Sequence, residues 1–357
     1  MWPKSKLLDL LKIEVPIIQA PMAAANNETM AIAVAKAGGL GSLPCAMLTP
    51  EVMRSQIEAF QAECDKLLNV SFFCHTMPEE DPQRAMGWVQ HLSGYYQEAG
   101  LDTSEQIKGA SRLPFDETMC EIVEDLKPGV VSFHFGLPDT SLLNRVKASG
   151  ARILGCATTV EEARYLEEKG CDAIIAQGYE AGGHRGMFLS QNVTTQAGTI
   201  ALVPQIVDAV SIPVIATGGI SDGRGIAASF MLGATGVQIG TAYLFTDEAL
   251  ISDLHRTALK EQCVDNTAIT NLFSGKPARG IINRLMREKG PLSDAVPAFP
   301  GAGDGLAPLK AKAEANGKND FSSLWSGQAA GLCEPGSGAE AFTSRLASDA
   351  ARHLGYT

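Results

Sequence analysis

The chain has 357 residues, 45% of them hydrophobic, and a formal charge of −11 at neutral pH. That is enough apolar material for one large core, while the acidic balance and the absence of any lysine/arginine-rich tract argue against nucleic acid, which needs basic surface. No run of about 18 apolar residues occurs and the first 22 residues lack the uncharged core of a secretory signal, so a cytoplasmic protein with no membrane partner is expected.

Short apolar runs alternate with helical patterns along the chain. "PIIQAPM" (16–22) leads into a helical pattern over 28–38, and "GLGSLPC" (39–45) into one over 50–64. "LLNVSFFC" (67–74) is followed by a polar and helical insertion over about 75–127. "VVSFHFG" (130–136), "RILGCAT" (152–158) and "DAIIAQG" (172–178) each precede a helical segment, the last through a glycine-rich loop. "PVIATGG" (213–219) and "GVQIG" (236–240) complete eight strand candidates. Continuous apolar runs mark strands buried on both faces, and eight strand–helix units predict an α/β (β/α)8 TIM barrel rather than an open sheet. Glycines at 38, 150, 170 and 233 stop the helices. Past residue 250 the pattern gives way to helices and a Gly/Pro-rich stretch. It is read as a helical C-terminal extension (250–357) lying on the barrel, within one domain spanning 1–357.

Eight cysteines are scattered without a CxxC pair and read as reduced core thiols. Six histidines show neither HxxxH nor HExxH spacing, so no metal site is expected.

Barrel chemistry gathers where strands end. Gly218 and Gly219, then Gly240 and Thr241, follow the seventh and eighth strands. One such turn needs glycine for geometry alone, but a pair offers clustered backbone N–H donors suited to a phosphate. No GxGxxG opens a first helix, so a Rossmann-bound dinucleotide does not fit, and flavin mononucleotide (FMN) fits better. Asn69 and Gln177 are amides within apolar strands. They are either satisfied core amides or partners for a flavin ring edge. The loop "QGYEAGGHRG" (177–186) places His184 between glycines at a strand end, as a base or a substrate-positioning group, with a loop histidine bonded to a backbone carbonyl as its plain alternative. His134, in "SFHFGLP", is a second candidate, with a packed core histidine as its plain alternative. His75, His91, His255 and His353 read as structural or surface residues. No lysine stands at a strand end for Schiff-base chemistry, and no GxSxG elbow is present.

Together "PIIQAPM", "AGGLGSL", "NVSFFCH", "VSFHFGLP", "QGYEAGGHRG", "PVIATGGISDGRGIAA" and "GVQIGTAYL", with "SGKPARGIINR" and "LWSGQAAGL", resemble the nitronate monooxygenase family of flavoproteins. The resemblance covers nearly the whole chain. It implies a TIM barrel that oxidises alkyl nitronates with O2, its FMN held by Met22, Asn69, Gln177, Gly182, Gly219, Gln238, Gly240 and Thr241. His184 matches the family's active-site histidine and His134 the one in its "HFG" motif. The sequence departs from the family pattern late in the chain. A YxxxYxxxK pattern associated with propionate 3-nitronate is replaced by Phe299, Gly303 and Ala307, with Lys310 and Lys312 nearby as substitutes. The substrate therefore stays open, as does a homo-oligomeric state. NAD(P)H-dependent quinone or enoyl-ACP reductases are the alternatives within oxidoreductases. A flavin-free phosphate-binding lyase or isomerase, or a flavin-binding protein without turnover, stands further off.

Overall fold

The computed structural model describes residues 2–103, 112–261 and 266–356. All eight expected strands form: β1 (Ile17–Gln19), β2 (Ser42–Pro44), β3 (Leu68–Phe73), β4 (Gly129–His134), β5 (Arg152–Ala157), β6 (Ala173–Gln177), β8 (Val214–Thr217) and β9 (Gly236–Ile239). They pair in parallel in the order β1-β9-β8-β6-β5-β4-β3-β2. β1 and β2 then close the ring through the Ile18–Leu40 bridge, with Gln19 N–H donating to Leu40 O at 3.0 Å. The fully buried Gln19 side chain reinforces that seam by accepting from Ser42 N–H at 2.9 Å.

The helices form for legible reasons. Over Pro50–Glu63, Thr49 caps the first turn, Pro50 sits where its missing N–H costs nothing, and Met53, Ile57 and Phe60 share one buried face. The eighth ring helix comes from far down the chain. Ala339–His353 packs between the helices Glu28–Lys36 and Gly223–Met231, and Thr343 Oγ1 meets the buried Tyr243 hydroxyl at 2.7 Å.

Two excursions leave the ring. The segment after β3 carries helices Pro82–His91 and Ser93–Ala99 before it returns as the ring helix Glu117–Leu126, so only its first part stands outside the barrel. Residues 104–111 of that expected insertion, and 262–265 and 357 of the expected extension, lie outside the described residues. The second excursion runs from the end of β9 to the last helix. It is not purely helical: β10 (Thr267–Thr270) and β11 (Ala278–Ile281) form an antiparallel hairpin, and β11 pairs with β7 (Gly183–His184) of the glycine loop. The two excursions share a core of Trp88, Leu92 and Tyr96 against Leu272, Phe273 and Leu306. Trp88 Nε1 donates to Ala302 O at 3.1 Å and the Tyr96 hydroxyl to Gly305 O at 2.8 Å. The seven described cysteines are unpaired, Cys263 lying outside the described residues. Among the described residues no helix is long and apolar enough to cross a membrane.

Candidate active site

The glycine loop leaves β6 at Gln177 and is fixed at both ends. Gln177 Nε2 donates to His184 O at 3.0 Å, and its Oε1 accepts from Gly186 N–H at 2.8 Å. Arg185 is fully buried and donates to Gly178 O, Gln177 O and Gln196 Oε1. Burial lowers its pKa to about 10, which leaves it charged, so the guanidinium acts as a permanent internal brace. Beyond the loop the buried Glu162 carboxylate accepts from the N–H groups of Thr158, Phe188 and Leu189 and from the Thr158 hydroxyl. At Gly182 a Cβ would lie 2.5 Å from Gly327 N, so only glycine lets the segment Ser326–Gln328 close over the loop. That segment is tied down in turn. Gly327 N–H donates to Thr241 Oγ1 at 2.9 Å, and Gln328 N–H to Glu180 O at 3.0 Å.

His184 therefore sits on a short strand held between the barrel and the hairpin. One ring nitrogen, Nε2, meets Ser274 Oγ at 2.8 Å. Phe73, Phe135, Phe299 and Trp325 surround the ring at centroid distances of 5.4–6.1 Å. His134 Nε2 approaches His184 O at 3.2 Å, so both sequence-expected histidines meet at one place. His75, read as a structural or surface residue, is buried beside them. It packs edge-on to Phe299 at 4.7 Å, and neither ring nitrogen makes a hydrogen bond; the Arg112 backbone stands near without the required geometry.

Electrostatics at this wall run in one direction. Burial pushes His184 well below the ordinary histidine range, and Arg112 pushes it further, followed by the protonatable His134, by Lys276 and by the protonatable His75. His134 falls to about 4 through burial, the His184 carbonyl opposing and Arg185 and Lys276 adding to the fall. His75 falls to about 4 through burial and then Lys276. All three imidazoles are neutral at pH 7. Lys276 is half-buried, its ammonium 4.7 Å over the Phe135 ring, and its pKa is lowered by burial.

On the opposite side of the mouth the groups are mostly backbone. Gly218 and Gly219 adopt φ of 111° and 72°, which turns the chain after β8, and Gly240 and Thr241 open the short helix Thr241–Phe245 after β9. Met22 Sδ lies 3.8 Å from where a Gly240 Cβ would stand, while Met22 N–H donates to Asn26 Oδ1 at 2.8 Å. Three buried polar atoms on the barrel strands have no partner: Asn69 Oδ1, Gln238 Oε1 and Ser132 Oγ. Asn69 uses only its Nδ2, on Ser42 Oγ at 2.9 Å. The strand ends thus bring Gly219, Gln238, Gly240 and Thr241 together with Met22 and, through Gly327, Gly182. Gln177 differs from its companions, because both ends of its amide already hold the loop.

Sequence reasoning gave no role to Ser274, Lys276, Trp325, Arg112 or His75. Phe299 does reach the wall, but Lys310 and Lys312 are exposed on the outer helix Ala307–Ala315, where Lys310 pairs with Glu314 at 3.9 Å.

Residues 4–344 match the family model described as nitronate monooxygenase. A nitronate monooxygenase from Pseudomonas aeruginosa is 40% identical over 326 residues, which cover 90% of this chain and 93% of that protein. Among solved structures, nitroalkane oxidase from Streptomyces ansochromogenes superposes with a TM-score of 0.87 at 34% identity, covering 98% of this chain and 99% of that one. FabK from Thermotoga maritima superposes with a TM-score of 0.74 at 26% identity, covering 99% of this chain and 98% of that one. The histidine-lined barrel mouth and these likenesses agree: the chain belongs to the nitronate monooxygenase family.

Proposed function

We propose that this enzyme oxidises anionic alkyl nitronates, propionate 3-nitronate among them, with O2 and FMN, giving a carbonyl compound and nitrogen oxides. Members of the family are generally flavin-dependent, which removes support from a flavin-free lyase or isomerase. The residues present fit FMN. The unpartnered Asn69 Oδ1 and Gln238 Oε1 are buried acceptors awaiting donors, as a flavin edge provides. The turns at Gly218–Gly219 and Gly240–Thr241 leave backbone N–H groups for its phosphate. When bound, FMN supplies the acceptor for the substrate's electrons and their route to O2.

The observation that carries the nitronate reading is the sign of the charge around His184. Abstracting a proton from the carbon of a neutral nitroalkane calls for a base with a pKa near working pH. His184 is pushed far below that, by burial and by four positively charged or protonatable neighbours. A nitronate has already lost its proton, so a neutral imidazole beside cations needs only to orient it and donate or accept a hydrogen bond. Ser274 holds Nε2 and leaves Nδ1 as the other ring position available to substrate. The aromatic ring of Phe73, Phe135, Phe299 and Trp325 keeps water from the reacting carbon. Because a depressed pKa keeps His184 neutral below the ordinary histidine value of about 6.5, nitronate turnover is expected not to titrate away there.

The test is anaerobic flavin absorbance after mixing with propionate 3-nitronate or with NAD(P)H. Prompt bleaching by the nitronate and little by NAD(P)H is expected. Bleaching by NAD(P)H alone would replace this reading with a quinone or enoyl reductase.

A further inference from the structure

Lys276 stands out among the charged residues of the molecule. The chain carries a formal charge of −11, yet the charges that lower His184, His134 and His75 are all positive, and Lys276 acts on each of the three. Its ammonium is half-buried over the Phe135 ring and has neither a hydrogen-bond acceptor nor an acid partner among the described residues. A lysine with only a structural task would extend into water or meet a carboxylate, because desolvating an unpaired charge is costly. This one is held inward. The Lys276 backbone N–H reaches Ser274 Oγ at 3.4 Å, and the same oxygen meets His184 Nε2 at 2.8 Å. One hydroxyl therefore ties the Lys276 backbone to the imidazole, while the ammonium lies over Phe135, whose ring centroid is 5.9 Å from that of His184.

Arg112 is the second cation. It is the first among the charges that lower His184, and its Nη1 lies 3.8 Å from where a Cβ at Gly303 would stand. The late segment, with Phe299, Gly303 and Ala307, presents no charged side chain of its own at those positions, and a larger residue at 303 would have to share space with Arg112. Asp304 opposes the charge of Arg112, whereas Lys276 has no acidic partner among the described residues.

Resting on the nitronate reading above, we propose that Lys276, seconded by Arg112, is the specificity-determining cation that holds a carboxylate at the far end of the substrate. One positive charge would serve the nitronate group alone. Two, set on the wall next to His184 and away from the backbone-lined side, suit a substrate with a second negative group. The job is thereby assigned to the insertion and the hairpin rather than to Lys310 or Lys312.

The experiment compares propionate 3-nitronate with propyl-1-nitronate, which has a methyl group in place of the carboxylate, on the FMN-loaded enzyme. The ratio of their kcat/KM values is measured for the wild type, Lys276→Met, Lys276→Arg and Lys310→Met. In parallel, calorimetry under anaerobic conditions measures binding of 3-nitropropionate against 1-nitropropane. Lys276→Met is expected to lower both preferences by at least about tenfold, mainly through KM, as for loss of a charge-assisted contact. Lys276→Arg should restore much of each preference and Lys310→Met should leave both as in the wild type. Equal preferences in the wild type and Lys276→Met, or an equal loss of both ligands, would overturn the assignment. A binding preference that depends on Lys276 in an enzyme that turns over neither nitronate would uphold it and sink the nitronate reading instead.

Discussion

Where β8 and β9 end, the mouth of the barrel offers backbone: turns at Gly218–Gly219 and Gly240–Thr241, braced by Gly327 on Thr241. Across the mouth, the wall around His184 is made of side chains, and most of them arrive from the two excursions. The difference teaches what each side is free to vary. Backbone donors are set by barrel geometry, with Gly218 and Gly219 held at positive φ, which suits a group common to every turnover. Side chains on inserted segments can be exchanged without disturbing the strands, which suits the choice of substrate.

The sharpest way to break this comparison is His184→Asn. If the wall performs the chemistry, turnover should fall by about 10²–10⁴-fold while flavin absorbance of the purified protein is retained; a variant with full turnover of nitronates and nitroalkanes alike would remove the wall's role. Next, Gly182→Ala places a methyl group against Gly327 N and should cost about 1–3 kcal/mol in urea unfolding while loosening flavin retention. Unchanged stability and retention would mean that Ser326–Gln328 does not brace the backbone side.

Acid exposes the same division. His75 and His255 are buried and their pKa values fall to about 4, chiefly through burial. The unfolded chain binds more protons than the folded one between about 4 and 6.5, so stability contributed by their neutral burial is complete above about pH 6.5 and is lost as pH falls toward 4. Within that window each adds a slope of up to about 1.4 kcal/mol per pH unit. Thermal melts at constant ionic strength should show Tm falling below pH 6.5, and His75→Phe should flatten the decline. The smallest effect is expected of Asn69→Leu, about a five- to tenfold weaker hold on FMN from the loss of one buried acceptor, read by equilibrium dialysis.

The legibility of the sequence follows this division too. All eight barrel strands could be read because most are apolar runs, each followed by a helical pattern, and glycine or proline bounds many of them. The turns after the last two strands drew notice because Gly218–Gly219 and Gly240–Thr241 leave a local mark in the sequence. β10 and β11 escaped notice because four residues each, "TAIT" and "ARGI", do not establish a period of two, and β7 is two residues inside a glycine loop. His75 could be read no further than as a structural or surface residue because it follows β3 into a polar stretch; only the fold of the second excursion brings Phe299 over it. Lys276 and Arg112 are separated from His184 by roughly 90 and 70 residues, a distance over which no pattern argument reaches.

The helix Ala339–His353 closes the ring by docking beside Glu28–Lys36, across roughly 300 residues of sequence. The barrel is therefore a clasp whose two halves must find each other over the longest loop in the molecule, with both excursions threaded between. A polypeptide cleaved within the second excursion should still assemble from its two fragments if Tyr243 and Thr343 can meet. The wall around His184 is then an interruption of the scaffold, carried between the strands and the helix that closes them.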